Sequence, residues 1–265
     1  MRLPIYQVDA FTDALFRGNP AAVMPLETWL PDAVMQAIAM ENNLSETAFL
    51  VPEGDAWRLR WFTPAAEVPL CGHATLASAH VLFERGGVDA DEIAFDTASG
   101  RLTVGRGASG LVMDFPANPP RPAEAPDGLA RALGGIAPSE VWATSRHWLA
   151  LYDNADVVRA LRPDFRALAG LGKAGVIVTA PGDGGGDVAS RYFAPAHGVD
   201  EDPVTGSAHC VIAPFWSARL GRSRLVCDQV SARGGRIVAT DLGERILLEG
   251  QAVIFLEGMV ELPMP

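Results

Sequence analysis

The sequence predicts an α+β chain of two pseudo-symmetric halves, each a set of short strands curled around one central buried helix. Three observations carry this. First, the chain repeats itself: Arg60-Trp61-Phe62-Thr63-Pro64-Ala65 returns as Arg191-Tyr192-Phe193-Ala194-Pro195-Ala196, and Gly72-His73-Ala74 returns as Gly206-Ser207-Ala208. Second, each glycine turn opens a run that is apolar nearly all the way round, as in a helix surrounded by protein. Third, what lies between these runs alternates like short strands. A repeat of this length means two similar half-structures facing one another, and the chemistry is expected where they meet. The first half takes residues 1–117, with the C-terminal strand 252–265 a candidate to join it, and the second takes 118–251.

The elements follow in order. Met1 to Asp9 alternates like a strand and lacks the continuous apolar core of a signal peptide. Pro31 to Asn43 is a predicted helix, with Pro in its first turn and Asn42-Asn43 at its end. Strands are expected near Thr47–Val51 and Trp57–Phe62, then the buried helix Ala74–Phe83, closed by Gly86-Gly87. Strands near Glu92–Asp96, Leu102–Arg106 and Gly110–Asp114 complete the half. Five prolines between Pro116 and Pro126 mark a linker. In the second half, Ala208–Leu220 is the matching helix, although Pro214 inside it should kink it or displace a hydrogen bond. Strands near Arg224–Asp228, Arg236–Thr240, Arg245–Glu249 and Ala252–Leu262 finish the chain. The Gly182–Gly186 run lacks the Lys-Ser/Thr of a phosphate loop and fits a hairpin tip.

Composition removes several functional classes. An apolar content of 49% with 20% charged residues supports a real core. A net charge of −11, with no basic cluster to relieve it, argues against nucleic acid or an anionic membrane as partner. No run approaches the roughly 18 apolar residues of a membrane span. The 3 cysteines, odd in number and without metal-type spacing, suit a reducing compartment, and the cytoplasm is the expected location.

The candidate chemistry clusters at the repeated turns. Amide N–H groups at a helix start lack internal partners and carry the positive end of the helix dipole, so Gly72 and Gly206 each open a possible carboxylate or phosphate site. Glu46, in Asn43-Leu44-Ser45-Glu46-Thr47, stands between a helix end and an apolar strand. It becomes a proton-transfer group if its surroundings lift its pKa towards neutrality; the plainer reading makes Ser45 and Glu46 polar loop residues. Asp202, before a proline and a glycine turn, is an acid or a turn former. His73 is a shuttle near neutral pH or a hydrogen-bonded turn residue. Cys71 aligns with Thr205, so the paired thiols of a symmetric racemase are broken. A nucleophilic Cys71–His73 pair is disfavoured, because residues two apart around a glycine turn are not expected to face each other. Cys71 then reads as a small buried hydrophobe, and no metal site is expected.

Five motifs in order, Asp9-Ala10-Phe11-Thr12, Gly18-Asn19-Pro20-Ala21-Ala22-Val23, Asn43-Leu44-Ser45-Glu46-Thr47, Cys71-Gly72-His73-Ala74-Thr75 and Asp202-Pro203-Val204-Thr205-Gly206-Ser207-Ala208, resemble the phenazine biosynthesis PhzF family. The resemblance implies the diaminopimelate epimerase-like fold, two mixed curled sheets each around a central helix, with the site in the cleft between them. It implies a cofactor-free and metal-free isomerase, a homodimer, acting on a small carboxylate-bearing acid such as a dihydro-hydroxyanthranilate. Carried over, Glu46 is the proton-transferring carboxylate, with His73 and Asp202 completing the catalytic set. Ser45, Gly72, Gly206, Ser207 and Asn19 hold the substrate. A member that keeps the cleft but no longer turns over substrate is the alternative, and a racemase or epimerase stands behind it.

Overall fold

A computed structural model describes residues 1–262 of the chain; positions 263–265, the end of the expected last strand, lie outside the described residues. The fold is α+β, and the chain divides into two compact units, Met1–Asp114 with the chain from Glu249 onward, and Phe115–Leu248.

The first unit is a mixed sheet. It uses β1 (Arg2–Ala10), β2 (Asn19–Pro25), α1 (Asp32–Asn42), β3 (Glu46–Glu53), β4 (Ala56–Phe62), the short β5 (Glu67–Val68), α2 (Gly72–Glu84), β6 (Glu92–Thr97), β7 (Gly100–Arg106) and β8 (Leu111–Pro116). Along the sheet β1 runs antiparallel to β2, β2 parallel to β3, β3 antiparallel to β4, β4 parallel to β6, and β6 antiparallel to β7. A parallel pair needs a crossover, and here each crossover carries a helix: α1 joins β2 to β3, and α2 lies on the path from β4 to β6. The helix α2 is buried from His73 to Ala79 and again at Val81 and Leu82, which is why its sequence has no polar face. It packs on β1, β2 and β3. On the other side of the sheet, Met35, Ile38 and Ala39 of α1 pack with Met24, Phe49 and Phe62. The last strand of the chain, Ala252–Glu261, lies antiparallel to β1, with Arg2 opposite Glu261 and Ala10 opposite Ala252.

The second unit repeats the order. After β9 (Arg121–Pro122) and α3 (Leu129–Ala132) come β10 (Glu140–Ala143), β11 (His147–Leu151), α4 (Ala155–Ala160), α5 (Phe165–Ala169), β12 (Gly175–Pro181), β13 (Val188–Ala194), β14 (Val199–Asp202), α6 (Gly206–Leu220), β15 (Arg224–Gln229), β16 (Gly235–Asp241) and β17 (Arg245–Gly250). The pairings are again antiparallel for β10 with β11, parallel for β11 with β12, antiparallel for β12 with β13, parallel for β13 with β15, and antiparallel for β15 with β16. The helices α3 to α5 cover one face through Leu129, Val158, Leu168 and Phe193. The buried α6 packs on β15 and β16.

Pro214 displaces a hydrogen bond, as expected, and α6 still runs unbroken from Gly206 to Leu220. The proline leaves the Cys210 carbonyl without its helical donor, and the backbone N–H of Asn118 supplies that bond at 2.9 Å. One local expectation needs correction: the proline-rich segment after Pro116 is not a free linker. Ala117 N–H donates to the Glu244 carbonyl, β9 pairs with β10, and Ala123 N–H donates to the Val141 carbonyl. Proline costs a ladder donor, and this edge strand uses the N–H groups left between prolines. Among the described residues no helix is long and apolar enough to cross a membrane.

Candidate active site

The first unit gathers a polar cluster at the start of α2. Asn19 opens β2, Glu46 opens β3, and Cys71 precedes the first helical residue, Gly72. The helices begin at the two glycines themselves, two residues earlier than the apolar run suggested. Cys71 is extended and no side chain caps the helix, so the first amides of α2 stay available to a ligand.

The side chains then meet. His73 Nε2 lies 3.0 Å from Glu46 Oε2, in a pair whose side chains are 7% and 17% exposed. On the other edge of the ring, Nδ1 lies 3.2 Å from Asn19 Nδ2 and 3.5 Å from Cys71 Sγ. Ser45 Oγ donates to Asn19 Oδ1 at 3.0 Å, which directs the amide nitrogen at the ring. In this orientation Nδ1 accepts and Nε2 carries the proton facing Glu46.

Charge settles which state rests here. Burial disfavours the imidazolium of His73, but Cys71 and Glu46, which attract its charge and hydrogen-bond it, outweigh burial and push its pKa well above 6.5. Burial likewise pushes the Glu46 carboxyl up, while the charge and hydrogen bond of His73, helped by Cys71, win and hold it below its ordinary value. The expectation of a Glu46 pKa lifted towards neutrality is thus reversed, because its buried neighbour is a cation. Burial, with the Glu46 charge, pushes the Cys71 thiol up to about 11.

Two expectations about Cys71 also change. The turn does bring Cys71 and His73 face to face, because the extended Cys71 and the first turn of α2 project side chains to one side. Ligand atoms of Glu46, Cys71 and His73 lie within 4.8 Å of one another, a three-donor grouping that residue spacing hid, since Glu46 arrives from a different strand. Cys71 is buried, yet it contacts polar groups rather than only core.

The second unit gathers its own set at the start of α6. Thr205 Oγ1 donates to Asp202 Oδ2 at 2.6 Å. Gln229 accepts from Thr205 N–H at 2.9 Å and donates to the Asp202 carbonyl at 2.6 Å. Sequence reasoning missed Gln229; only its place at the end of β15, beside the helix entry, reveals it. Gly206 is the first helical residue, and a Cβ there would meet only Leu248 Cδ1 at 3.5 Å, an ordinary contact. Packing does not demand this glycine, whereas a ligand approaching the amides would. Ser207 is exposed beside it.

The chain is thus a repeated α+β unit with a buried carboxylate, imidazole and thiol at the uncapped start of the first unit's central helix. A family model described as phenazine biosynthesis-like protein matches residues 8–258. An uncharacterized isomerase of Pseudomonas aeruginosa is 51% identical over 262 residues, covering 99% of this chain and 100% of that one. A phenazine biosynthesis-like domain-containing protein of Rattus norvegicus is 41% identical, covering 98% of this chain and 99% of its own. A crystal structure of a PhzF-family phenazine biosynthesis protein from Enterococcus faecalis superposes with a TM-score of 0.96 at 44% identity, over 99% of this chain and 100% of that one. The chain belongs to the phenazine biosynthesis-like PhzF family. A hydroxyproline epimerase from Agrobacterium vitis, 12% identical with a TM-score of 0.61 over 100% of this chain and 94% of its own, shares the fold.

Proposed function

We propose that this protein is a cofactor- and metal-independent isomerase that moves a proton within a small unsaturated or cyclic carboxylic acid, of the trans-2,3-dihydro-3-hydroxyanthranilate type. The observation that carries this is the buried Glu46–His73 pair at 3.0 Å, beside the open amides of α2. Glu46, held ionised, is the base: it takes a proton from carbon, and the C–H electron pair moves into a system conjugated with the carboxylate. The same proton, or one relayed from His73, is returned to a different carbon, so substrate and product are isomers and the enzyme ends unchanged. His73 keeps Glu46 ionised in the resting state. Substrate that displaces water from the pair weakens that hold as charge moves onto the ligand.

The candidates for holding the substrate carboxylate are the amides at Gly72 with Ser45 and Asn19 in the first unit and those at Gly206 with Ser207 in the second, and Asp202 is the second unit's candidate proton-transfer group. The name isomerase carried by the Pseudomonas relative and the repeat of helix-opening glycines support this reading. A two-thiol racemase finds no support, since the counterpart of Cys71 is Thr205, whose hydroxyl is engaged with Asp202. Incubation with candidate acids in D2O followed by mass spectrometry tests the activity. Deuterium should enter carbon in the wild type and not in Glu46→Gln; a protein that binds the acid without exchange would be a non-catalytic member.

We also propose a cytoplasmic homodimer. Three free cysteines suit a reducing compartment. Exposed Phe16, Phe255, Leu256 and Met259 on the first unit supply apolar surface for a second copy, and light scattering after size exclusion checks the mass.

A further inference from the structure

The repeat equates positions as well as motifs. Glu46 and Gly175 each open the third strand of their half, and the residues paired with them in parallel on the second strand are Ala21 and His147. Trp61 pairs with Ala48 and with Val68; Tyr192 pairs with Ile177 and with Asp202 in the same places. The second unit therefore sets His147, Tyr192 and Asp202 at the strand positions that Ala21, Trp61 and Val68 hold in the first, and Asp202 ties the set to Thr205 at the start of α6.

The chemistry of these positions differs between the halves. Where the first half has a carboxylate, the second has Gly175, and a Cβ there would fall onto the ring and hydroxyl of Tyr192. The phenol takes the space its half leaves free. The His147 ring stands edge-on to Tyr192 at 5.7 Å. His147 is 6% exposed, and its Nδ1 is buried without a hydrogen-bond partner, a cost a native protein rarely keeps without a use. Burial, followed by the charges of Arg146, Lys173 and His197, holds the ring neutral with a pKa of about 4. Burial and the Asp202 charge hold the Tyr192 phenol protonated, up to about 12. The pair thus offers neutral donors and an acceptor over the physiological range.

We propose that His147 and Tyr192 are substrate-binding residues that hydrogen-bond a hydroxyl or amino substituent of the acid, leaving its carboxylate to helix amides. This deepens the isomerase reading and rests on it for the substrate class. The pair selects a substituted ring over a bare carboxylate.

The test uses the full-length protein and 3-hydroxyanthranilate, a stable aromatic acid bearing both substituents, with benzoate as the unsubstituted control. The chain has 5 histidines, so side-chain 15N spectra resolve each ring. Added 3-hydroxyanthranilate should shift His147 and His73 signals, and benzoate should shift His73 alone. Tyr192→Phe and His147→Asn should each weaken 3-hydroxyanthranilate about tenfold, leave benzoate affinity within about twofold, and keep the melting temperature. Shifts at His73 without His147 would overturn this proposal and leave the isomerase reading standing. Shifts at His147 without His73 would do the reverse. No shift at either ring overturns both, and a benzoate shift at His147 equal to that of the substituted acid overturns the substituent selectivity.

Discussion

Replacing Glu46 by Gln removes one charge from a buried pair while keeping its shape. At 3.0 Å and an effective dielectric near 20, the Glu46–His73 attraction is about 5 to 6 kcal/mol before desolvation is counted. Burial opposes both charges, so only part of that appears as stability. The partner has an escape: without the carboxylate, burial becomes the dominant influence on His73, and the ring sheds its second proton. Its pKa should fall from well above 6.5 to below it. Each unit of that fall is about 1.4 kcal/mol of interaction removed. Because the ring neutralises rather than staying charged and unpaired, unfolding stability at neutral pH should drop by only about 1 to 3 kcal/mol. Turnover should fall by about 10² to 10⁴, the usual contribution of a general base. Side-chain 15N titration of His73, urea unfolding and deuterium exchange measure the three effects. If His73 still titrates well above 6.5 in Glu46→Gln, the ion pair is not what holds its proton, and the resting-state argument fails.

Further outcomes follow from the same geometry. In His73→Asn, the lost stabilisation should depend on pH with a definite sign. A raised histidine pKa stabilises fully below 6.5 and fades as pH rises through the folded value, and a lowered Glu46 pKa stabilises above 4.5 and fades on acidification. The stability gap to wild type should therefore be widest near pH 5.5 and narrower at pH 9 in paired urea titrations. Cys71→Ala should keep turnover within about threefold, and iodoacetamide should label the wild-type thiol slowly at pH 7.5, because burial holds it up to about 11. Pro214→Ala should stabilise by less than about 1 kcal/mol, well short of the roughly 3 kcal/mol of an ordinary helix-interior proline, because Asn118 already satisfies the Cys210 carbonyl; thermal unfolding decides it.

The strands and the two buried helices were legible because each obeys a local rule. The all-round apolar character of Ala74–Phe83 and Ala208–Leu220 follows from their being enclosed, and the period-two runs mark sheet edges to within a residue or two. The hydrogen bond displaced at Pro214 was legible, but its replacement donor and the pairing of the proline-rich segment were not, since both depend on where Asn118, Glu244 and Val141 lie in space. The same holds for the candidate site. Glu46, His73, Asn19 and Ser45 carry motif resemblance, but the sign of the Glu46 shift depends on a cation placed 3.0 Å away by another element. A rule that treats burial alone gives the wrong direction there. His147 escaped notice because the repeat around it preserves strand order and register, not residue identity.

That loss of identity is itself informative. Where packing fixes a position, the two halves agree: Phe62 and Phe193 are both buried, and Arg60 and Arg191 each make a two-pronged bond to a glutamate of the next strand, Glu67 and Glu201. Where the halves open their helices, they disagree: Ala21 against His147, Glu46 against Gly175, Cys71 against Thr205, His73 against Ser207. A racemase acting on mirror-related faces needs matched acid and base at these positions. A proton moved between two carbons of one molecule needs a single ionisable pair and, elsewhere, groups that bind without titrating. The first half holds charge at its helix entry and keeps it paired; the second presents a phenol and a neutral imidazole on that side of its entry. Unequal halves on a common frame fit the one-base isomerase proposed above, which needs one ionisable pair and not two.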